Sequence, residues 1–330
     1  MTVFFIAALL VTFLITVIIA KRLIPKLKSM KLGQQILDIG PRWHKSKEGT
    51  PTMGGISFIA ASLITLVICC IVMAVRGLTD GMDKLIIVVL FATVSGAIGI
   101  VDDLTKFKNH RNEGLTAVQK YLLQLISAGL FLAALKLTGN LTTEIYIPFV
   151  GITWDIGIFY YIISILLITG IVNAVNLTDG IDGLASSVTL ALGAFFAVAA
   201  FAFEALPAAI ASAVIMGACL GFLVYNFYPA RVFMGDTGSL FLGAAVSSMA
   251  FILNCPLLIL FAGFVYYVES VSVIIQVTSY KLTKKRVFKM TPIHHHFEMS
   301  GWGEIKICIV FSAVAAAIGI IGCFGFLPVL

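Results

Sequence analysis

The feature that most constrains this chain is a run of apolar residues about as long as a bilayer is thick, repeated along the whole sequence. About 20 predominantly apolar residues are needed for a helix to cross the hydrocarbon core. Runs of this kind lie near residues 2–20, 54–75, 85–101, 119–137, 156–174, 184–204, 207–226, 239–255, 256–280 and 304–327. In lipid the backbone must satisfy its own hydrogen bonds, so each run is expected to be a helix. The expected fold is therefore an all-α polytopic membrane protein with about ten transmembrane helices, forming one integral membrane domain over residues 1–330. A chain that is 60% hydrophobic and 12% charged is far from an ordinary soluble domain. The first run has no basic leader, and Lys21 and Arg22 follow it, which predicts a retained span rather than a cleaved signal peptide.

Charge sets the direction of the threading. With ten helices, the loops 21–53, 102–120, 175–183, 226–238 and 281–306 share one face and carry 19 of the 22 Lys and Arg. Only Arg76, Lys84 and Lys136 fall on the other face. Positive charge marks the cytoplasmic side, so both termini are expected outside. One helix too many or too few would flip every later loop and erase the asymmetry. Between Thr138 and Asp155 the alternating segments Glu144–Pro148 and Gly151–Trp154 predict a small hairpin at the outer interface.

The chemistry collects on the inner face. Every histidine (His44, His110, His294, His295 and His296) and ten of the sixteen acids lie there, and Glu269 alone falls inside a span. Asp102 and Asp103 close the third span, Asn176 to Asp182 follows the fifth, Asp236 precedes the eighth, and Glu298 follows the histidine run. Carboxylates gathered in this way repel one another unless a cation or basic partners offset them. Oxygen ligands suit Mg²⁺, which commonly takes one or two protein carboxylates together with substrate phosphates.

Adjacent residues on a helix point about 100° apart, so Asp102 and Asp103 are expected to face different neighbours. Lys47 and Lys120 each abut a structured feature and are the candidate polyphosphate-holding lysines; most other basic residues are accounted for by membrane topology and anionic lipid. Three successive histidines are a poor zinc site, and a loop offering hydrogen-bond donors to phosphate or sugar is the more natural use. Glu269 is expected either to border a lipid groove on a bent ninth helix or to bond a neighbouring helix. The six cysteines, all in or beside apolar runs, read as small core residues. No Walker lysine motif, dinucleotide fingerprint or His-Glu-x-x-His occurs, and nothing points to nucleic acid. Transport is disfavoured because the acids sit at helix ends and no internal repeat appears.

GTPTMGG at 49–55, Asp102-Asp103, NAVNLTDGIDGLA at 173–185, NFYPARVFMGDTGSL at 226–240 and PIHHHFE at 292–298 together resemble the phospho-N-acetylmuramoyl-pentapeptide transferase family. That family belongs to the polyprenyl-phosphate sugar-1-phosphate transferases, and the resemblance spans nearly the whole chain. It implies a Mg²⁺-dependent enzyme of the bacterial plasma membrane with its active site on the cytoplasmic face. The implied substrates are UDP-N-acetylmuramoyl-pentapeptide and undecaprenyl phosphate, and the implied products are the first lipid-linked peptidoglycan precursor and UMP. A homodimer is the family expectation. By the same resemblance Asp236 is the magnesium ligand, and Asp102 and Asp103 are the essential pair beside the phosphates, with Lys120, His294 and His295 in catalytic roles. Asn176, Asp179 and Lys47 are expected to bind substrate, Asp182, Asn226, Phe233 and Gly235 to form the nucleoside pocket, and His296 to contact substrate from the histidine loop. Direct attack by the lipid phosphate on the sugar-bearing phosphorus is the expected route, and a covalent phosphosugar on Asp103 is its rival.

Overall fold

The computed structural model describes residues 1–30, 47–108 and 114–326, so His44, Lys45, His110 and Arg111 lie outside the described residues. The chain is a helical bundle: α1 Thr2–Ser29, α2 Gly55–Val75, α3 Met82–Lys108, α4 Ala117–Leu137, α5 Phe159–Thr178, α6 Leu184–Ala202, α7 Leu206–Asn226, α8 Gly235–Ile252, α9 Leu258–Ala262, α10 Phe264–Thr283, α11 Ile293–Glu298 and α12 Glu304–Phe326. Strands β1 Glu144–Ile147 and β2 Ile152–Asp155 form the predicted antiparallel hairpin, with Glu144 opposite Asp155. Among the described residues, α1 to α7 and α12 are long and apolar enough to cross a membrane. The protein is therefore a multi-pass membrane protein.

Helices α8 and α10, of 18 and 20 residues, are long enough but less apolar, and the surroundings of α8 explain it. All but two residues of α8 are buried, between α3, α5 and α2 with α6 and α7 beside them. An interior helix meets protein rather than lipid, so it can carry Thr237, Ser239, Ser247 and Ser248 without exposing them. The expected single span at 256–280 is broken instead: α9 ends after five residues and α10 starts beyond Gly263, where an added Cβ would lie 2.5 Å from Ile171 Cδ1. Close packing against α5 thus calls for glycine at the boundary. Two other boundaries also differ from the sequence reading, since α1 continues through Lys21 and Arg22 to Ser29 and α3 runs past the aspartates to Lys108.

Small residues set the closest helix contacts. A Cβ on Gly217 or Gly221 of α7 would come within 2.4 Å of Leu9 O or 2.8 Å of Phe13 O, so α1 crosses α7 at backbone distance over a small-xxx-small pair. At Gly99 the space is tighter still: a Cβ would lie 2.1 Å from Asp236 O. The end of α3 is thereby pressed onto the first turn of α8. Helix α4 starts in a capping box between Thr116 and Gln119. The hairpin packs on the far end of α12, where Gly325 O accepts from Phe149 N and the Tyr146 and Phe326 rings lie 5.5 Å apart.

Candidate active site

The end of α3, the start of α4, the end of α5 and the start of α8 meet at one end of the bundle, and the side chains they bring there are almost all polar. Met234, the residue before α8, offers no side-chain cap. The capping is done from α3 instead: Asp103 Oδ2 accepts from Thr237 N at 2.9 Å and Thr237 Oγ1 at 2.7 Å, and Asp103 Oδ1 accepts from Asp236 N at 3.2 Å. A carboxylate at a helix N-terminus satisfies orphan amides and meets the positive end of the dipole. Asp102, turned away by the helical twist, accepts from Leu115 N at 2.9 Å and pairs with Lys106 at 2.6 Å. The two neighbours face different partners, as their spacing predicts.

Asp236 lies between two ammonium groups. Lys106 Nζ and Lys120 Nζ each stand 2.7 Å from its Oδ2, while Asn176 Nδ2 donates to its Oδ1 at 2.7 Å and to Ser239 Oγ at 2.8 Å. Oxygens of Asp102, Asp103 and Asp236 all fall within 4.8 Å of one another. The Lys106 ammonium stands in their midst, 2.6 Å from Asp102, 2.7 Å from Asp236 and 3.7 Å from Asp103. It occupies the position a compact cation would take. The all-oxygen donor set fits Mg²⁺ rather than a softer ion.

A second cluster borders the first. Lys47 Nζ is 2.7 Å from Asp182 Oδ1 and 2.6 Å from Glu304 Oε1, and both carboxylates are buried. Asp182 Oδ2 accepts from Ala230 N, and Glu304 Oε2 accepts from Asp182 N, both at 2.8 Å. Burial works against the charge on Lys47, but the hydrogen bonds to Asp182 and Glu304 outweigh it and hold the ammonium above its usual pKa. Asn226 donates to Val232 O at 3.0 Å and closes the loop that presents Ala230. Phe233 is half-buried and pinned through its backbone, with N donating to Pro51 O and its O accepting from Gly54 N. Gly235 has φ +70°, and a Cβ there would meet Asp103 Oδ2 at 2.5 Å, so this first residue of α8 has to be small.

Between the clusters, Asp179 ends α5, and its side chain has no hydrogen-bond partner among the described residues. Removal from water pushes its pKa well above the usual carboxylate value, and the negative charges of Asp236, Asp103 and Asp182 push it further.

The three histidines diverge. His294 is fully buried, with Nδ1 3.1 Å from both oxygens of the equally buried Glu269. His295 Nδ1 meets Glu298 at 2.6 Å, and His296 Nδ1 accepts from Lys289 N at 3.2 Å. They cannot serve one ion together. Glu269, in the interior of the α9–α10 segment, pairs with α11, whose His294 in turn packs on Gly180 beside Asp179.

Asp102, Asp103, Asp236, Lys120 and Asn176 thus meet in one cluster and Lys47 and Asp182 in the other, with Asn226, Phe233, Gly235, Asp179 and His294 beside them, whereas His295 and His296 pair with Glu298 and the Lys289 backbone. Two that sequence reasoning passed over join them, Lys106 and Glu304, together with Glu269, which bonds a neighbouring helix, one of the two roles expected of it. Lys106 was legible in principle, since it stands four residues after Asp102 and three after Asp103 on one helix face. For Glu304 no local signal exists.

Residues 85–254 match the model of glycosyl transferase family 4, which makes the carboxylate–lysine cluster among these membrane helices the candidate site of a membrane-embedded transferase. That match runs from α3 through α8. Residues 47–59 match phospho-N-acetylmuramoyl-pentapeptide-transferase signature 1. Over 96% of its length the chain is 45% identical to the phospho-N-acetylmuramoyl-pentapeptide-transferase of Clostridium kluyveri, covering 97% of that protein. The enzymes of the same name from Clostridium novyi, 46% identical over 96% of this chain and 94% of theirs, and Staphylococcus epidermidis, 44% identical over 95% and 96%, are similar to it. The chain belongs to the phospho-N-acetylmuramoyl-pentapeptide-transferase family.

Proposed function

We infer that the protein transfers phospho-N-acetylmuramoyl-pentapeptide from UDP-N-acetylmuramoyl-pentapeptide to undecaprenyl phosphate, releasing UMP, with Mg²⁺ as cofactor. The observation that carries the site assignment is the convergence of Asp102, Asp103, Asp236, Lys106 and Lys120 at one end of the bundle. One phosphoanhydride replaces another, so the demand on the protein is charge neutralisation and alignment. The new bond runs from a lipid-phosphate oxygen to the sugar-bearing phosphorus, and the bond broken joins that phosphorus to the UMP oxygen. A phosphate monoester near neutrality already carries about −1.5 to −2 charges, so little proton removal is needed.

The residues divide the work. Asp236, with Asp102 and Asp103 beside it, would hold Mg²⁺. When bound, the ion supplies electrostatic stabilisation of the pyrophosphate oxygens. Lys106 and Lys120 are placed to share the phosphate charge, and the Lys47–Asp182–Glu304 cluster with Asn226, Phe233 and Gly235 forms the nucleoside side. Asp179, Asn176, His295 and His296 complete the walls. Both oxygens of Asp103 are engaged by the α8 amides and the Thr237 hydroxyl, which makes it a poor nucleophile and favours direct transfer over a covalent intermediate.

The proposed setting is ten crossings of the bacterial plasma membrane, with α8 and the α9–α10 pair added to the eight apolar helices. The termini are then outside and the site is cytoplasmic. The lysine and arginine asymmetry supports this, and a homodimer is the assembly we propose.

Purified protein given Mg²⁺ and undecaprenyl phosphate is offered UDP-N-acetylmuramoyl-pentapeptide or UDP-N-acetylglucosamine, and UMP is measured. Preference for the first, loss of activity with a chelator and loss in Asp236→Ala are expected. Preference for UDP-N-acetylglucosamine overturns the substrate, and full activity in Asp236→Ala overturns the metal assignment.

A further inference from the structure

Glu269 and His294 form a pair, and the catalytic role expected of His294 does not by itself account for Glu269. Both side chains are fully buried, and the pair links α10 to α11 across 25 positions of sequence. The carboxylate takes both contacts, with His294 Nδ1 at 3.1 Å from each oxygen and the His294 backbone N at 3.4 Å from Oε2. Among the described residues no other cationic side chain pairs with Glu269. The far ring nitrogen, His294 Nε2, is enclosed and has no hydrogen-bond partner. It lies over Gly180, where an added Cβ would be 2.3 Å from it, and so stands against the turn that joins Asp179 to Asp182.

Proton counting decides what that nitrogen offers. A buried carboxylate left without a counter-charge is costly, so the isolated pair is held close to neutral. Neutrality with the shared contact matched is met in two ways: an ionised Glu269 facing a doubly protonated ring, or a protonated Glu269 donating to Nδ1 of a neutral ring. In both, Nε2 carries a hydrogen. A protonated Glu269 accepting from Nδ1–H would also be neutral, but it would leave its own buried hydroxyl hydrogen without an acceptor. A neutral ring that donates from Nδ1 to an ionised Glu269, with a bare Nε2, would leave the buried negative charge uncompensated.

We propose that Glu269 is a positioning residue for the transfer reaction: from inside the bundle it fixes the His294 ring and makes Nε2–H a hydrogen-bond donor, beside the Asp179–Gly180 turn, for an anionic phosphoryl oxygen of the bound substrate. The inference rests on the transfer activity proposed above. It takes Glu269 out of the lipid groove, because its effect passes through one imidazole. Donors aimed at developing phosphate charge act on turnover more than on capture of the lipid.

The test uses full-length protein and UMP release, with Glu269→Gln, Glu269→Ala, His294→Ala and the Glu269→Ala/His294→Ala double variant. Loss of one such donor costs on the order of 10²-fold in kcat. We expect a loss of that size in Glu269→Ala and His294→Ala, with the KM for undecaprenyl phosphate within about twofold of wild type. The double variant is expected to be no slower than His294→Ala alone. Glu269→Gln can donate an amide hydrogen to Nδ1, as a protonated glutamate does, and so keeps the hydrogen on Nε2; it is expected to hold turnover well above that of Glu269→Ala while keeping thermal stability.

A readout without substrate is the ¹⁵N spectrum of histidine-labelled protein, with His294 assigned by its loss in His294→Ala. Nε2 is expected protonated in wild type and in Glu269→Gln. Multiplicative losses in the double variant, turnover in Glu269→Gln as low as in Glu269→Ala, a lipid KM that rises while kcat holds, or a bare Nε2 in wild type would each overturn the proposal. Wild-type protein that releases no UMP overturns the transfer reading instead, and leaves the nitrogen spectrum to judge the pair.

Discussion

Gly99→Ala adds one methyl group at a residue that touches no substrate, yet it should cost the enzyme most of its activity. The new Cβ would lie 2.1 Å from Asp236 O, 2.4 Å from Asp236 C and 2.5 Å from Thr237 N, and ordinary van der Waals contact begins near 3.4 Å. All three atoms are backbone, so no rotamer change relieves the overlap. The first turn of α8 must move by about 1.3 Å, the difference between 3.4 and 2.1 Å. It carries Asp236 away from Lys106, Lys120 and Asn176, and strains the cap that Asp103 makes on it. A misplacement of about 1 Å in a catalytic constellation costs roughly 10²-fold in rate, equivalent to about 2.7 kcal/mol of transition-state stabilisation. Overpacking itself costs about 1–3 kcal/mol of stability, so the variant should remain folded, with a lowered apparent melting temperature. Two further glycines grade the test. At Gly129 an added Cβ meets nothing within 4 Å, and at Gly96 the nearest atom, Ile59 Cδ1 at 2.7 Å, is the free end of a side chain that can swing aside. UMP release in detergent should therefore fall in the order Gly129→Ala, near wild type, then Gly96→Ala, then Gly99→Ala about a hundredfold down. Gly99→Ala protein that is folded and within about threefold of wild-type kcat would refute the claim that α3 sets the position of Asp236.

Two other perturbations probe the charge in the site. Asp179 holds its proton to a higher pH when folded than when unfolded, so it costs stability as pH rises from the ordinary carboxylate range through that raised value. Asp179→Asn should therefore melt higher than wild type at pH 7 and converge with it in acid, while losing activity; equal melting temperatures at neutral pH would contradict the crowding of Asp179 by Asp236, Asp103 and Asp182. Lys106→Met removes the ammonium standing among the three carboxylates, which should lower kcat and enlarge the rise in melting temperature that MgCl₂ produces, because the ion no longer competes with a resident cation for Asp102 and Asp236. An Mg²⁺-induced rise no larger than that of wild type would place the ion elsewhere.

What could be read from the residues alone follows from the range of each interaction. Apolar runs are local properties, so the spans over 85–101, 156–174 and 207–226 and the hairpin at 144–155 were legible, although α3 and α5 continue to Lys108 and Thr178. The divergence of Asp102 and Asp103 was legible too, because the turn angle of a helix is fixed. Which way a helix is rotated is not local. Lys106 has the charge of a topological lysine, and only the approach of α8, tightened at Gly99, turns it into the cation at the centre of the cluster. Glu304 faces Lys47 across 257 positions and Glu269 faces His294 across 25, and in neither case does the intervening sequence carry a sign of the meeting.

The boundary at Gly263 has the same origin: Ile171 on α5 approaches so closely that only glycine leaves room there. Hydropathy, which averages along one segment, registers α10 only as a poor membrane span. The polar content that makes α8 and α10 poor spans is the content the site uses: Asp236 and Ser239 in one, Glu269 in the other. A helix enclosed by protein is free to carry such residues, so a weak hydropathy signal within a strongly apolar chain is where catalytic groups are to be sought.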